Sequence, residues 1–282
     1  RGPDSNGKWL EGKIGFGHQR LSIIDLSSSG SQPMIDSLLK LTLVFNGTIY
    51  NYKQLYEILN VEPHSKSDCE VIIHLYKKYG FEQTLQMLDG VFAFILIDIN
   101  KNLVFIARDT YGVRPLFVNT FTCEDERGNA KICYGFSSVL KSLDGFNNSK
   151  HLQQFEPGSY SIFNINKIPG KHDMLTNISY GETIFYSIPN PFCSIKKSHT
   201  EDEILKIQEN LFSVLEEAVL KRIDNTERDI CCLLSGGLDS SIISAIVARY
   251  HPGKLHTWSI GLEGSEDLQY ADKVAKHIGS EH

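Results

Sequence analysis

Between residues 235 and 241 the chain reads Ser-Gly-Gly-Leu-Asp-Ser-Ser, a spacing suited to holding a phosphate group. The adjacent Gly236 and Gly237 let the main chain approach an anion closely, and a helix opening directly after them aims free N–H groups at it. Ser235, Ser240 and Ser241 add hydroxyl donors, while Asp239 suits the orienting of a magnesium ion or a nearby donor. No lysine follows the glycines, so this is not the G-x-x-x-x-G-K-[ST] loop of kinases and GTPases, and a different phosphate group must be held. On its own the stretch also fits a plain Gly-Gly turn between a strand and a helix.

The elements around the loop bear on both readings. Ile230 to Leu234 is a short continuous apolar run that predicts a parallel strand buried on both faces. After the loop come a helical stretch from Ile242 to Tyr250, a second strand from Leu255 to Leu262 and a second helix from Leu268 to Ile278. That order predicts a right-handed parallel unit. Ahead of it, Thr200 to Ile223 reads as an amphipathic helix. Ile204, Leu205, Ile207, Leu211, Leu215, Ala218 and Val219 form its apolar face, and Glu201, Asp202 and Glu203 occupy its first turn.

Tyr186 to His199, with Pro189 and Pro191, reads as a connector, so domains are expected at 1–188 and 189–282. In the front part, short strands are predicted at Ile14 to His18, Leu21 to Asp25, Leu43 to Phe45, Val91 to Asp98 and Leu103 to Ala107. Between them Val71, Ile72, Leu75 and Tyr76 make a helical stripe over Asp68 to Tyr79, with Ser67 or Asp68 as the expected N-cap. Strands and covering helices in this arrangement predict a layered α+β domain with mostly antiparallel sheets.

The chain has 282 residues, 41% hydrophobic and 22% charged, with a formal net charge of −6. Its apolar runs are all far short of the ~20 residues that span a bilayer, and no broad basic surface exists for nucleic acid, Lys196-Lys197 being the nearest approach. Membrane and nucleic-acid partners are therefore not expected. The six cysteines, at 69, 123, 133, 193, 231 and 232, show neither C-x-x-C nor zinc-ligand spacing and read as reduced, in a cytoplasmic protein. The opening Arg1-Gly2-Pro3-Asp4 without methionine, and the abrupt close at Ser280-Glu281-His282, read as cuts through a longer chain.

The S-G-G-x-D-S loop at the end of a first parallel strand resembles the ATP pyrophosphatase family. That resemblance implies ATP as the nucleotide, cleavage between its α and β phosphates, and adenine packed near Leu234 and Ile260 at the strand ends. The front half carries R-G-P-D at 1–4, G-H-Q-R-L-S-I-I-D at 17–25, F-N-G-T-I-Y-N at 45–51, S-D-C-E-V at 67–71, D-G-V-F-A-F at 89–94 and R-D-T-Y-G-V-R-P-L at 108–116. These segments resemble the N-terminal-nucleophile glutamine amidotransferase domain. With S-I-G-L-E-G-S-E-D-L at 259–268, nearly the whole chain resembles the glutamine-hydrolysing asparagine synthetase family. The implied architecture is an αββα sandwich followed by the start of an α/β parallel-sheet domain.

Within that resemblance, Arg20 would offer its planar fork to the α-carboxylate of glutamine and Asp68 would pair with the α-ammonium. Leu21, Ser22, Ile23 and Ile24 would line the pocket. The Asn46 side chain and the Gly47 main-chain N–H would stabilise the oxyanion of acyl transfer. Thr48 stands where the family usually has a glutamate, which removes one carboxylate from the ammonium site. The family's nucleophile, a cysteine at the mature N-terminus, would lie upstream of Arg1. The implied substrates are glutamine, aspartate and ATP, with Mg2+ as cofactor; the oligomeric state is open, a homodimer among the options. Two alternatives stand beside this reading: an adenylating synthetase of the β-lactam synthetase type, favoured by Thr48, and a degenerate non-catalytic binding protein.

Overall fold

Side-chain alternation in one strand organises the front of the molecule. In the computed structural model, which describes residues 2–12, 14–124, 130–144, 149–166, 174–177, 183–184 and 199–282, Gly90–Asp98 is strand β5 of a seven-stranded sheet. Its neighbours are β3 (Met34–Asp36), β4 (Leu41–Ile49), β6 (Leu103–Arg108), β10 (Ser159–Asn166), β11 (Met174–Asn177) and β12 (Thr183–Ile184). The ladders are antiparallel. Phe92, Phe94 and Leu96 of β5 enter one core, while Ala93, Ile95 and Ile97 enter another on the opposite face. A strand covered on both sides reads as a continuous apolar run, which is why 91–97 contains no polar residue.

The first core is closed by α1 (Tyr52–Leu59), α2 (Val71–Tyr79) and α3 (Phe81–Met87). Leu55, Ile72, Leu75 and Leu85 pack there against Leu43 and Phe45 of β4, and Phe81 stacks on Phe105 with ring centroids 4.5 Å apart. The buried Tyr76 hydroxyl donates to Asp98 Oδ2 at 2.7 Å, so its polar end is satisfied inside an apolar layer. The second core lies beneath the hairpin β1 (Ser5–Glu11) and β2 (Ile14–Arg20) and the sheet of β7 (Phe117–Glu124), β8 (Ala130–Ser137) and β9 (Ser149–Gln154). Trp9, Phe16, Tyr134 and Phe136 supply its apolar contacts. Helices, sheet and second sheet are the α, β and β layers of the expected sandwich.

The segment after β6 is fixed by two buried side chains of opposite charge. Asp109 accepts the N–H groups of Phe92, Tyr111, Val113 and Arg114 at 2.9–3.2 Å. Arg108 donates to the carbonyls of Arg114, Phe155 and Gly112 at 2.9, 2.5 and 2.8 Å. The R-D-T-Y-G-V-R-P-L motif is thus largely a loop-building device, and it delivers Arg114 to the cavity described below.

The chain divides into two compact units, Arg1–Pro189 and Asn190–His282. In the second, α4 (Glu201–Ile223) begins with a Thr200/Glu203 capping box. It is followed by β13 (Cys231–Leu233), α5 (Leu238–Tyr250), β14 (His256–Trp258) and α6 (Glu266–Ile278), with β13 and β14 parallel. This is the expected β-loop-α-β-α order.

Several local expectations fail. Leu21 to Asp25 is a loop, because Arg20 takes the Ile24 and Asp25 carbonyls and Asp4 takes the Ser22 N–H, which leaves no ladder to form. Neither Ser67 nor Asp68 caps a helix with its side chain: Asp68 Oδ2 accepts the Ile49 N–H at 2.7 Å, and a 3-10 turn precedes α2. Only the C-terminal half of α4 is packed, through Leu215, Val219 and Ile223, while Ile204, Leu205, Ile207 and Leu211 stay exposed. β13 is covered on one face only, with Leu233 80% exposed, and the second strand is three residues, His256–Trp258, rather than Leu255 to Leu262. Cys133 is disulfide-bonded, which corrects the reading of six reduced thiols; pairing is set by approach in space, which spacing along the chain does not reveal. Cys69, Cys231 and Cys232 are free. The connector over 186–198, Lys196-Lys197 and Cys193 lie outside the described residues, as does Arg1. Among the described residues no helix is long and apolar enough to cross a membrane.

Phe94 is 1% exposed and touches the helical core directly. Phe94→Ala is expected to lower unfolding free energy by about 3–5 kcal/mol, measured by urea denaturation followed through far-ultraviolet circular dichroism. A loss under about 1 kcal/mol would contradict the packing described.

Candidate functional site

Strand register places the first site. Phe45 points into the helical core, so Val44, Asn46 and Thr48, two residues apart, share the opposite face of β4. That face opens on a cavity of about 490 Å³. Arg20, Leu21, Ile23 and Ile24 form one wall, Asn46, Gly47 and Thr48 the floor, and Asp68 and Arg114 stand beside them. Of the residues expected to hold glutamine, Ser22 alone does not line it; Ser22 is buried and its N–H donates to Asp4 Oδ2 at 2.7 Å.

Arg20 does two jobs. The residue is 7% exposed, with Nη1 donating to Ser27 O at 2.7 Å and Nη2 to the carbonyls of Ile24 and Asp25. Three of the five N–H donors of a guanidinium are engaged in this way, leaving a single Nη donor for a ligand. A Cβ on Gly30 would collide with Arg20 Nη2, so glycine is required there to let the guanidinium lie flat against the loop. Gly47 is required for a different reason: a Cβ would run into the Val91 carbonyl across the β4–β5 ladder. The Asn46 amide has no hydrogen-bond partner among the described residues, so its donors are available to the cavity.

The electrostatics centre on Asp68, 6% exposed. Burial pushes its carboxyl up to about 6, against the Ile49 N–H and the charge of Arg114, which pull it down. His18, also lining the cavity, is pushed below the usual imidazole range by burial, opposed by its bond to the Phe45 main chain and reinforced by Arg20. The cavity therefore presents two guanidinium cations, one carboxylate and a neutral imidazole near neutral pH. Arg114 was not singled out from the sequence, although it lies within the R-D-T-Y-G-V-R-P-L motif; the loop built by Asp109 is what brings it here. Its Nε is buried without a partner among the described residues.

Residues 1–180 match the glutamine amidotransferase domain family model. The chain belongs to the glutamine amidotransferase family. Residues 210–282 match the asparagine synthase family model. Similar curated proteins include the glutamine-hydrolysing asparagine synthetases of Bos taurus and Homo sapiens, each 39% identical over 282 residues. These alignments cover 95% of this chain and 47% of each relative, so the chain spans about half the length of the curated relatives it matches. Among solved structures, the glutamine phosphoribosylpyrophosphate amidotransferase of B. subtilis aligns with a TM-score of 0.43 and 21% identity, covering 92% of this chain and 56% of that one. An allosteric regulatory enzyme of purine biosynthesis aligns with a TM-score of 0.45 and 22% identity over the same shares.

In this amidotransferase-family chain the phosphate-type loop sits at the end of β13. Gly236 has a left-handed φ of +79°, and a Cβ there would strike Tyr270 and the Ala271 nitrogen of α6. Its glycine is thus required by backbone geometry and packing. Gly237 meets nothing closer than Ser235 Oγ and presents open main chain at the start of α5. The hydroxyls bind within the loop: Ser235 and Ser240 pair at 2.9 Å, and Ser240 and Ser241 donate to Gly237 O at 3.2 and 2.6 Å. An incoming anion would have to redirect them. The Leu234 side chain is buried against Ala271 and Ala275, whereas Ile260 is 99% exposed, so the two expected adenine contacts differ in access. Asp239 is exposed in the first turn of α5, and among the described residues no cluster of three or more acidic, histidine or cysteine side chains forms a cation cage.

Asp68 titrates higher folded than unfolded, from 3.8 to about 6. Its contribution to stability is complete below the unfolded value and is lost as pH rises through about 6. The stability of the native protein relative to Asp68→Asn is therefore expected to fall by roughly 2–3 kcal/mol between pH 4 and pH 7.5, read from urea unfolding at each pH. A difference independent of pH would refute the buried-carboxylate assignment.

Proposed function

We propose that the whole protein is a cytoplasmic glutamine-hydrolysing asparagine synthetase with its glutaminase site in the front cavity and its ATP site at the 235–241 loop. The observation that carries this reading is the convergence of Arg20, Asn46, Gly47 and Asp68 on one cavity, in a chain whose rear segment matches the asparagine synthase family model.

In the front site the charge of Arg20, with a single free Nη N–H donor, takes the α-carboxylate and ionised Asp68 takes the α-ammonium. These contacts direct the side-chain amide along β4. The step these contacts would serve is attack on the amide carbon by a thiol nucleophile of the family's type, an N-terminal cysteine whose own α-amine serves as base. The Asn46 amide and the Gly47 N–H receive the developing oxyanion. Ammonia leaves, and water then releases glutamate. In the rear site the β-carboxylate of aspartate attacks the α-phosphorus of ATP, displacing pyrophosphate. The Gly237 main chain and the α5 N-terminus bind that pyrophosphate, assisted by hydroxyls of Ser235, Ser240 and Ser241. Ammonia attacks the β-carbonyl and expels AMP, giving asparagine. Mg2+, when bound, would neutralise phosphate charge, and Asp239 is the residue that would orient it.

Thr48 favours a second reading, an adenylating synthetase that closes a ring within its own substrate. One assay separates the two: the full-length protein with ATP, aspartate and either glutamine or ammonia is expected to form AMP and asparagine in equal amounts. Absence of aspartate-dependent AMP would exclude asparagine synthesis.

Thr48 replaces a carboxylate by a hydroxyl beside the ammonium site. Thr48→Glu is therefore expected to tighten glutamine about tenfold, the equivalent of one charge-assisted hydrogen bond of about 1.5 kcal/mol. Titration calorimetry measures this, and unchanged or weaker binding would count against an ammonium at that position.

A further inference from the structure

We propose that Asp25 is a positioning residue that sets the span between the two charged walls of the front cavity, the Arg20–Ile24 loop and the segment bearing Asp68. The proposal rests on the reading of that cavity as a glutamine site.

Asp25 is 1% exposed and does not line the cavity. Its backbone sits at φ +56°, a left-handed conformation costly for a side chain with a Cβ and retained only where the surroundings enforce it. The enforcing contacts include four hydrogen bonds to one carboxylate. Oδ1 accepts the Ser27 N–H at 3.0 Å and the Ser27 hydroxyl at 2.5 Å. Oδ2 accepts the Ser29 hydroxyl at 2.8 Å and, across 41 residues of sequence, the Lys66 N–H at 3.0 Å. The carbonyl of the same residue accepts Arg20 Nη2.

Asp25 thereby joins both walls. On one side it grips the loop that Arg20 also grips. On the other it holds the main chain at Lys66, two residues before Asp68. The 64–65 stretch is held in turn by Glu70, whose carboxylate accepts the His64 and Ser65 N–H groups at 2.7 Å each. A carboxylate fits this role because it supplies acceptors on two oxygens at once. Asparagine in its place would turn an NH2 group toward N–H or O–H donors.

The chemistry of the ligand explains why such a brace matters. The ammonium and carboxylate of glutamine hang on one carbon atom, so their separation is invariant. Arg20 and Asp68 can engage both ends together only if the loops carrying them hold a fixed distance. A shift of a few tenths of an ångström would leave each wall able to bind its own end while losing the gain from binding both.

The test compares three ligands on the full-length protein by titration calorimetry: L-glutamine, 4-carbamoylbutanoate, which lacks the ammonium, and the α-amide of glutamine, which lacks the carboxylate. The native protein is expected to bind glutamine at least about tenfold tighter than either one-ended ligand, and Asp25→Asn to reduce that ratio to about threefold or less. The one-ended affinities should stay within about threefold of native. An unchanged ratio, or equal weakening of all three ligands as a purely structural role would give, overturns the proposal. Should Asp25→Asn fail to fold, the double substitution Ser27→Ala, Ser29→Ala removes two of the four bonds at exposed or partly buried positions. It must lower the ratio in the same direction or the proposal fails. If native protein binds glutamine no better than the one-ended ligands, the glutamine reading itself is wrong and Asp25 falls with it.

Discussion

The register of β4 against β5 is the constraint on which the front unit depends. Asn46 opposes Ala93, and Gly47 opposes Phe92. With a side-chain period of two, a slip of one residue would send Asn46 and Thr48 into the helical core and turn Phe45 toward the cavity. Burial on both faces prevents that slip, because every residue of 92–97 has an apolar destination that alternates strictly between two cores. Gly47 adds a local lock, since only a residue without a Cβ tolerates the Val91 carbonyl at that point.

Around this rigid floor the polar parts of the cavity are assembled by buried charges that mostly face main-chain groups. Arg20, Asp25, Glu70, Arg108 and Asp109 each hold loops through N–H or carbonyl partners. Burial alone would raise the Glu70 carboxyl, but bonds from His74, Ser65 and the His64 and Ser65 main chain outweigh it and hold it at about 2. The same balance keeps Asp25 below the usual carboxylate range despite burial, through Ser27, Ser29 and the Ser27 and Lys66 N–H groups. Asp68 receives fewer such bonds and is the one of the three that burial pushes upward. That difference is what the proposed ammonium contact of Asp68 would draw on.

The rear unit shows the limits of local pattern. Its capping box, element order and parallel pairing follow from short-range signals: Thr200 with Glu203, the Gly236-Gly237 break and an apolar strand. The expected burial of β13 and of the first half of α4 does not follow, because an apolar stripe records only that a face can be covered. Which neighbour covers it is a matter of packing. Gly236 carries a similar lesson: its lack of a side chain is demanded by α6 behind the loop and by a positive φ, before any phosphate is considered.

The sequence by itself determined the sheet and helix types of the long periodic segments, and its resemblance to a known family grouped Arg20, Leu21, Ile23, Ile24, Asn46, Gly47, Thr48 and Asp68, which line one cavity. These were legible because side-chain periodicity and dense motifs are local properties of the chain. Only the tertiary structure decided that Arg20 spends three donors on its own loop, that Arg114 joins the cavity, that Ser22 turns away, and that Asp25 ties Lys66 to the 25–29 loop. The Asp25–Lys66 bond spans 41 residues of sequence, and even where the partner is near in sequence, as for Arg20, the direction in which a buried charge finds it is set by packing in three dimensions.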